Sequence, residues 1–98
     1  MSLDQKSCLV LMARIYVLLK FGVRDNEGIV VSKTLIQLGY DCVDDMRMGK
    51  YMEIDLNCDT IEEASDQIEK MCAEMLVNNI IQRYTYDIEV IHPGESVT

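Results

Sequence analysis

The run LVLMARIYVLL, Leu9 to Leu19, is the stretch that most restricts what this chain can fold into. Val, Ile and Tyr recur in it and Gly22 breaks the chain soon after, so it reads as a strand rather than a helix. Successive strand side chains point to opposite faces. One face then carries Leu9, Leu11, Ala13, Ile15, Val17 and Leu19, and the other Cys8, Val10, Met12, Arg14, Tyr16 and Leu18. Both sets are largely apolar. A small open antiparallel sheet keeps one face wet, so this strand asks for cover on both sides. In a chain of 98 residues the second cover can come from another copy.

That length fits one domain, spanning 1–98 with an ordered core of about 8–91 and polar ends. Nine Lys and Arg stand against 17 Asp and Glu, a net charge of -8. Such a chain is repelled by nucleic acid and by anionic membranes, and no basic stripe overrides this. Lys6 and the apolar run after it imitate a signal peptide, but Arg14 interrupts the run and no small-residue cleavage site follows. The run is also too short to span a bilayer. A cytoplasmic location is expected. Cys8, Cys42, Cys58 and Cys72 form no C-x-x-C pair, and the single histidine, His92, completes no metal set with them at usual spacing. They read as reduced, apolar residues, although spacing leaves distant disulfides open.

After the first strand, FGVRDNEG leads into a helix capped by Asp25 or Asn26, with Val31, Leu35 and Leu38 on one face and Gly39 at its end. Two strands are expected next, Cys42–Met48 and Tyr51–Leu56. Gly49-Lys50 between them fits a type II′ hairpin turn. That register pairs Met48 with Tyr51, Arg47 with Met52, Asp45 with Ile54 and Val43 with Leu56. Met46, Met48 and Tyr51 then share an outer face with Asp44, Glu53 and Asp55. Thr60 and Glu63 form a capping box for a second helix, whose stripe is Ala64, Ile68, Met71, Cys72 and Met75. A last strand, about 80–91, places Tyr84, Tyr86, Ile88 and Val90 on one side, and Pro93 ends it. The order β-α-β-β-α-β predicts a two-layer α+β sandwich of ferredoxin-like character with an antiparallel sheet.

The chemistry such a chain can hold is limited. Gly49-Lys50 is no phosphate loop, because Asp44 stands where its first glycine belongs, Tyr51 where Ser or Thr would hold magnesium, and a strand follows where a helix is needed. Asp44-Asp45 point to opposite strand faces, and Glu62-Glu63 belong to a capping turn. His92 has no identifiable triad partner. Met71 and Met75 fall on a core stripe. Met46, Met48 and Tyr51 on an outer hairpin face mark contact with a partner instead.

FGVRDNEG, LGYDCVDDMRMGKYMEIDL and MCAEMLVNNIIQRYTYDIE resemble PurS, the small subunit of phosphoribosylformylglycinamidine (FGAM) synthase. Gly22, Val23, Asp25 and Gly28 match the family's first segment. Leu38, Gly39, Tyr40, Val43, Arg47, Gly49, Lys50, Tyr51 and Glu53 match its second, and Cys72, Leu76, Asn78, Ile81 and Tyr84 its third. Asn26 and Asn79 stand where the family usually has Pro, Gln82 where it has Glu, and Met46 replaces Val.

The resemblance implies a PurS-like, dimeric, non-catalytic subunit without a cofactor of its own. Its expected partners are a second copy, a PurQ-like glutamine amidotransferase subunit, and a large PurL-like synthetase subunit that binds ATP and Mg. The complex converts formylglycinamide ribonucleotide (FGAR), glutamine and ATP to FGAM, glutamate, ADP and phosphate in purine synthesis, and the small subunit bridges the other two and assists ammonia transfer. On this reading Arg47, Gly49, Lys50, Tyr51, Met46 and Met48 are candidate partner contacts. Val10, Met12, Arg14, Tyr16 and Leu18 are candidate dimer contacts. The rival reading is an ACT-like regulatory domain of the same topology that binds an amino acid at a dimer interface.

Overall fold

A computed structural model describes residues 9–92. Expectations for Lys6, Cys8, Pro93 and the polar ends lie outside those residues. Three strands and two helices form the domain: β1 (Leu9–Leu19), α1 (Asn26–Gln37), β2 (Gly49–Cys58), α2 (Ile61–Met71) and β3 (Gln82–His92), with a π-helical turn over Cys72–Leu76 continuing α2.

β1 is central. The sheet order is β2-β1-β3 and both pairings are antiparallel. Leu18 faces Gly49 at one end of the β1–β2 ladder and Leu9 faces Cys58 at the other. On the far side Leu19 faces Gln82 and Val10 faces His92, with a register shift between Val10 and Leu11.

Period-two alternation decides which side is buried. Leu11, Ala13, Ile15 and Val17 are buried. Ala13, Ile15 and Val17 pack with Ile68 of α2, Cys72 of the π turn and Val77 beyond it, flanked by Met52, Ile54, Tyr84, Tyr86 and Ile88. Leu11, Cys58 and Ala64 form a smaller cluster. Burying each large aliphatic side chain stabilises by about 1.5–3 kcal/mol. Tyr86 fastens this layer, donating to Glu69 Oε2 at 2.7 Å and sharing a 2.6 Å hydrogen bond with Ser65.

The helix caps follow from the sequence. Thr60 accepts from the Glu63 amide at 3.0 Å, and Glu63 reaches back to the Asp59 amide at 3.1 Å. Asp25 caps α1 through the Gly28 amide at 2.9 Å. At the other end Gly39 takes φ +108, while Gly39 N–H donates to the Ile36 carbonyl and Tyr40 N–H to that of Leu35. These two bonds are a Schellman closure, which satisfies carbonyls the helix leaves open.

Of the expected β-α-β-β-α-β sandwich, the antiparallel sheet and its covering helix form as expected. Residues 42–48, expected as a strand, run as turn and loop. The hairpin pairing of Met48 with Tyr51, and the pairs derived from it, do not occur: Tyr51 lies opposite Tyr16 and Met52 opposite Ile15. A II′ turn needs a positive φ at its first central residue. Gly49 is not among the positive-φ glycines, Gly22 and Gly39. It begins β2 instead. The Met48 amide donates to Asp25 Oδ2 at 2.8 Å rather than to a neighbouring strand.

Only α2 lies along the sheet. Within α1 only Gly28 is buried, and its apolar stripe is incompletely covered: Val31 and Leu35 are half-buried, while Leu38 is 69 % exposed. The molecule is accordingly long, 60 × 29 × 15 Å. Its radius of gyration is 18.6 Å, against about 13 Å for a compact chain of 100 residues.

Candidate functional site

Two surfaces stand out. The first is the side of the sheet away from α2. Val10, Met12, Arg14, Tyr16 and Leu18, the candidate dimer residues, alternate along β1 with the buried set and so share this side. Tyr16 and Tyr51, register partners, have ring centroids 5.3 Å apart. Arg14 sits between the strands, pairing with Asp87 at 3.3 Å and bonding Glu89. The two carboxylates hold the guanidinium further above its ordinary pKa, Glu89 contributing most. Tyr51 donates to Glu53 Oε2 at 2.6 Å, and that bond raises the phenol pKa. The face is thus apolar along β1 and acidic on both flanks.

The second surface lies at the sheet end where β1 stops and β2 and β3 start. Arg47 is exposed here and pairs with Asp45 at 3.3 Å. On the expected strand 42–48 the same two residues share a face and can pair, but the contact forms inside a loop. Asp25 organises the region. Its two oxygens accept from the Gly28 and Met48 amides, tying the start of α1 to the start of β2. Those bonds, that of Met48 foremost, lower the Asp25 pKa, and nearby Arg47 adds to the effect.

The candidate partner residues are therefore divided. Arg47 and Lys50 are exposed at the sheet end, where Gly49, the first residue of β2, lies against β1. Tyr51 belongs to the open face with Tyr16. Met46 and Met48 do not share an outer face with it. Both are half-buried, Met46 beside Phe21 and Ile29 and Met48 beside Val30 and Val31. Their loop folds back on α1 because Asp25 holds it there.

Phe21 and Arg83 were not singled out from the sequence. The Arg83 guanidinium lies over the Phe21 ring at 4.5 Å and that of Arg47 at 5.7 Å. The three come from separate loops and strand ends, so no local motif announces them.

Among the described residues no three His, Cys, Asp or Glu side chains are grouped to hold a metal ion. Among the described residues Cys42 and Cys72 form no disulfide. Burial raises the Cys72 thiol pKa, which suits a packing residue rather than a nucleophile. No helix among them is long and apolar enough to cross a membrane.

Among the described residues an antiparallel sheet covered by α2 on one side carries an aromatic–guanidinium cluster at its end, which defines a small α+β domain. Residues 12–90 match the family model described as PurS: Phosphoribosylformylglycinamidine (FGAM) synthase. The chain belongs to the PurS family. It is 41% identical over 78 residues to the phosphoribosylformylglycinamidine synthase subunit PurS of Synechocystis, covering 80% of this chain and 78% of that one. The crystal structure of Methanocaldococcus jannaschii PurS superposes with a TM-score of 0.76 at 28% identity, covering 84% of this chain and 99% of that one. A chain of the PurLQS structure from Thermotoga maritima gives 0.77 at 25% identity, covering 82% and 98%.

Proposed function

We propose that this chain is the non-catalytic small subunit of an FGAM synthase complex in purine biosynthesis. The observation that carries the reading is the family match over residues 12–90, joined by the structural likeness to PurS chains. The complex turns FGAR, glutamine and ATP into FGAM, glutamate, ADP and phosphate. Glutaminase and synthetase chemistry, with ATP and Mg, belongs to the larger subunits, and this chain bridges them and assists ammonia transfer. The Thermotoga relative was solved as PurLQS, which supports PurQ-like and PurL-like partners for this chain. The proposed location is the cytoplasm. The family match over residues 12–90 favours this reading over the rival ACT-like one.

The chain acts as a homodimer. The open face of β1 supports this, because Val10, Met12, Tyr16 and Leu18 lie on it with no helix of the described residues above them. Arg47 and Lys50, exposed at the sheet end, face the other subunits, while Tyr51 lies on the dimer face beside Tyr16. The test is co-purification: the tagged chain is expected to retain the glutaminase and large synthetase subunits of its own source. Arg47→Ala is expected to weaken that capture while the dimer remains folded. Undiminished capture by the variant would remove Arg47 from the interface. No capture by the wild-type chain would overturn the subunit reading.

A further inference from the structure

We propose that the sheet end around Phe21 docks an acidic segment of the partner protein, an inference that rests on the subunit reading above. Phe21 is 75 % exposed, an unusual position for a large aromatic ring. Arg83 and Arg47 stack on it. The Arg83 Nε–H donates to the Leu19 carbonyl at 3.2 Å, which fixes the guanidinium plane. Its terminal N–H groups carry no ion pair among the described residues. A guanidinium stacked on a ring keeps its donors in plane, ready for a carboxylate, and less side-chain freedom is lost when the carboxylate arrives. Lys20 adjoins Phe21, and its amide donates to the Ile81 carbonyl at 2.8 Å. That bond brings the turn bearing Ile80, 83 % exposed, to the same end. Exposed aromatic and aliphatic residues beside arginine are the composition of an interface core.

Charge selects the occupant. The chain as a whole carries -8. Asp25 is engaged by two backbone amides and Asp45 by Arg47, while Arg83 and Lys20 have no carboxylate at ion-pair distance among the described residues. The cations left available therefore favour carboxylates. A small anion such as phosphate meets the guanidinium edge but leaves the exposed Phe21 ring uncovered. A protein segment instead covers the ring and meets the guanidinium edges together.

Binding of the full chain to the purified glutaminase and large synthetase subunits tests this, with Kd measured from low to high salt. Wild-type binding is expected to weaken as salt rises, because exposed charge pairs are screened. Phe21→Ala and the double variant Lys20→Glu/Arg83→Glu are each expected to bind about tenfold or more weakly. The charge variant is also expected to show a flatter salt dependence. Circular dichroism and sedimentation confirm that fold and oligomeric state are kept. Wild-type affinity in both variants, or salt-independent wild-type binding, overturns the docking surface and leaves the subunit reading standing. A wild-type chain that binds neither subunit overturns both. A changed oligomeric state in the variants, with subunit binding intact, identifies a second copy as the occupant and also overturns the proposal.

Discussion

At Gly49 the backbone of β2 passes so near β1 that an added Cβ would lie 2.2 Å from the Val17 carbonyl oxygen. Backbone cannot step aside cheaply at that distance. Gly49→Ala is therefore expected to loosen the end of the β1–β2 ladder and lower stability by about 1–3 kcal/mol, the usual range for overpacking. Urea unfolding checks this, and an unchanged midpoint would show that the ladder end frays freely. The glycine is needed for close approach, not for a turn. Gly28 tells a similar story at α1, where a Cβ would meet the Met46 carbonyl oxygen at 2.7 Å. At Gly49 the requirement comes from β1 far along the chain, and at Gly28 from Met46 together with the capping Asp25 carboxylate at 2.6 Å, so the backbone approaches cannot be read locally.

Among elements, α1 depends most on one side chain. Its first turn and the loop before β2 share the Asp25 carboxylate. The Asp25 pKa is held below its ordinary 3.8, chiefly by the Met48 amide and then by that of Gly28. A carboxylate with a depressed folded pKa contributes stability above the unfolded pKa and loses it as pH falls through the folded one. Asp25→Asn keeps one acceptor and loses the second. The variant is expected to melt below wild type at neutral pH, with the gap closing as pH falls below about 4. Thermal melts across that range check it, and a gap independent of pH would mean that the charge is irrelevant. By contrast α2 was legible in its start and most of its stripe, because a capping box and a helical period are contained within its own residues; the exception is Met75, expected in the core but 83 % exposed in the π turn. The hairpin was not. Gly49-Lys50 satisfies the composition of a II′ turn, but the neighbouring strand was already supplied by β1.

For the whole molecule the unfinished surfaces matter most. Among the described residues β1 has α2 on one side and no helix on the other, and α1 buries only Gly28. On the dimer reading Met12→Asp is expected to shift the chain from dimer toward monomer, measured by sedimentation velocity. The new charge would lie between its register partners Asp55 and Glu89, and like charges directly opposite repel. A melt of the variant separates loss of association from loss of fold. A dimer unaffected by the change would move the interface away from the open face.

The sequence by itself determined the two-faced central strand, the capped helices, the acidic balance and the family, because each is written in local periodicity or in ordered segments. Only the tertiary structure decided that β2 begins at Gly49, that residues 42–48 are a loop bound to Asp25, and that Phe21 meets two arginines. Those outcomes depend on which distant backbone amide, carboxylate or ring arrives first at a shared position. No spacing within one segment records that competition.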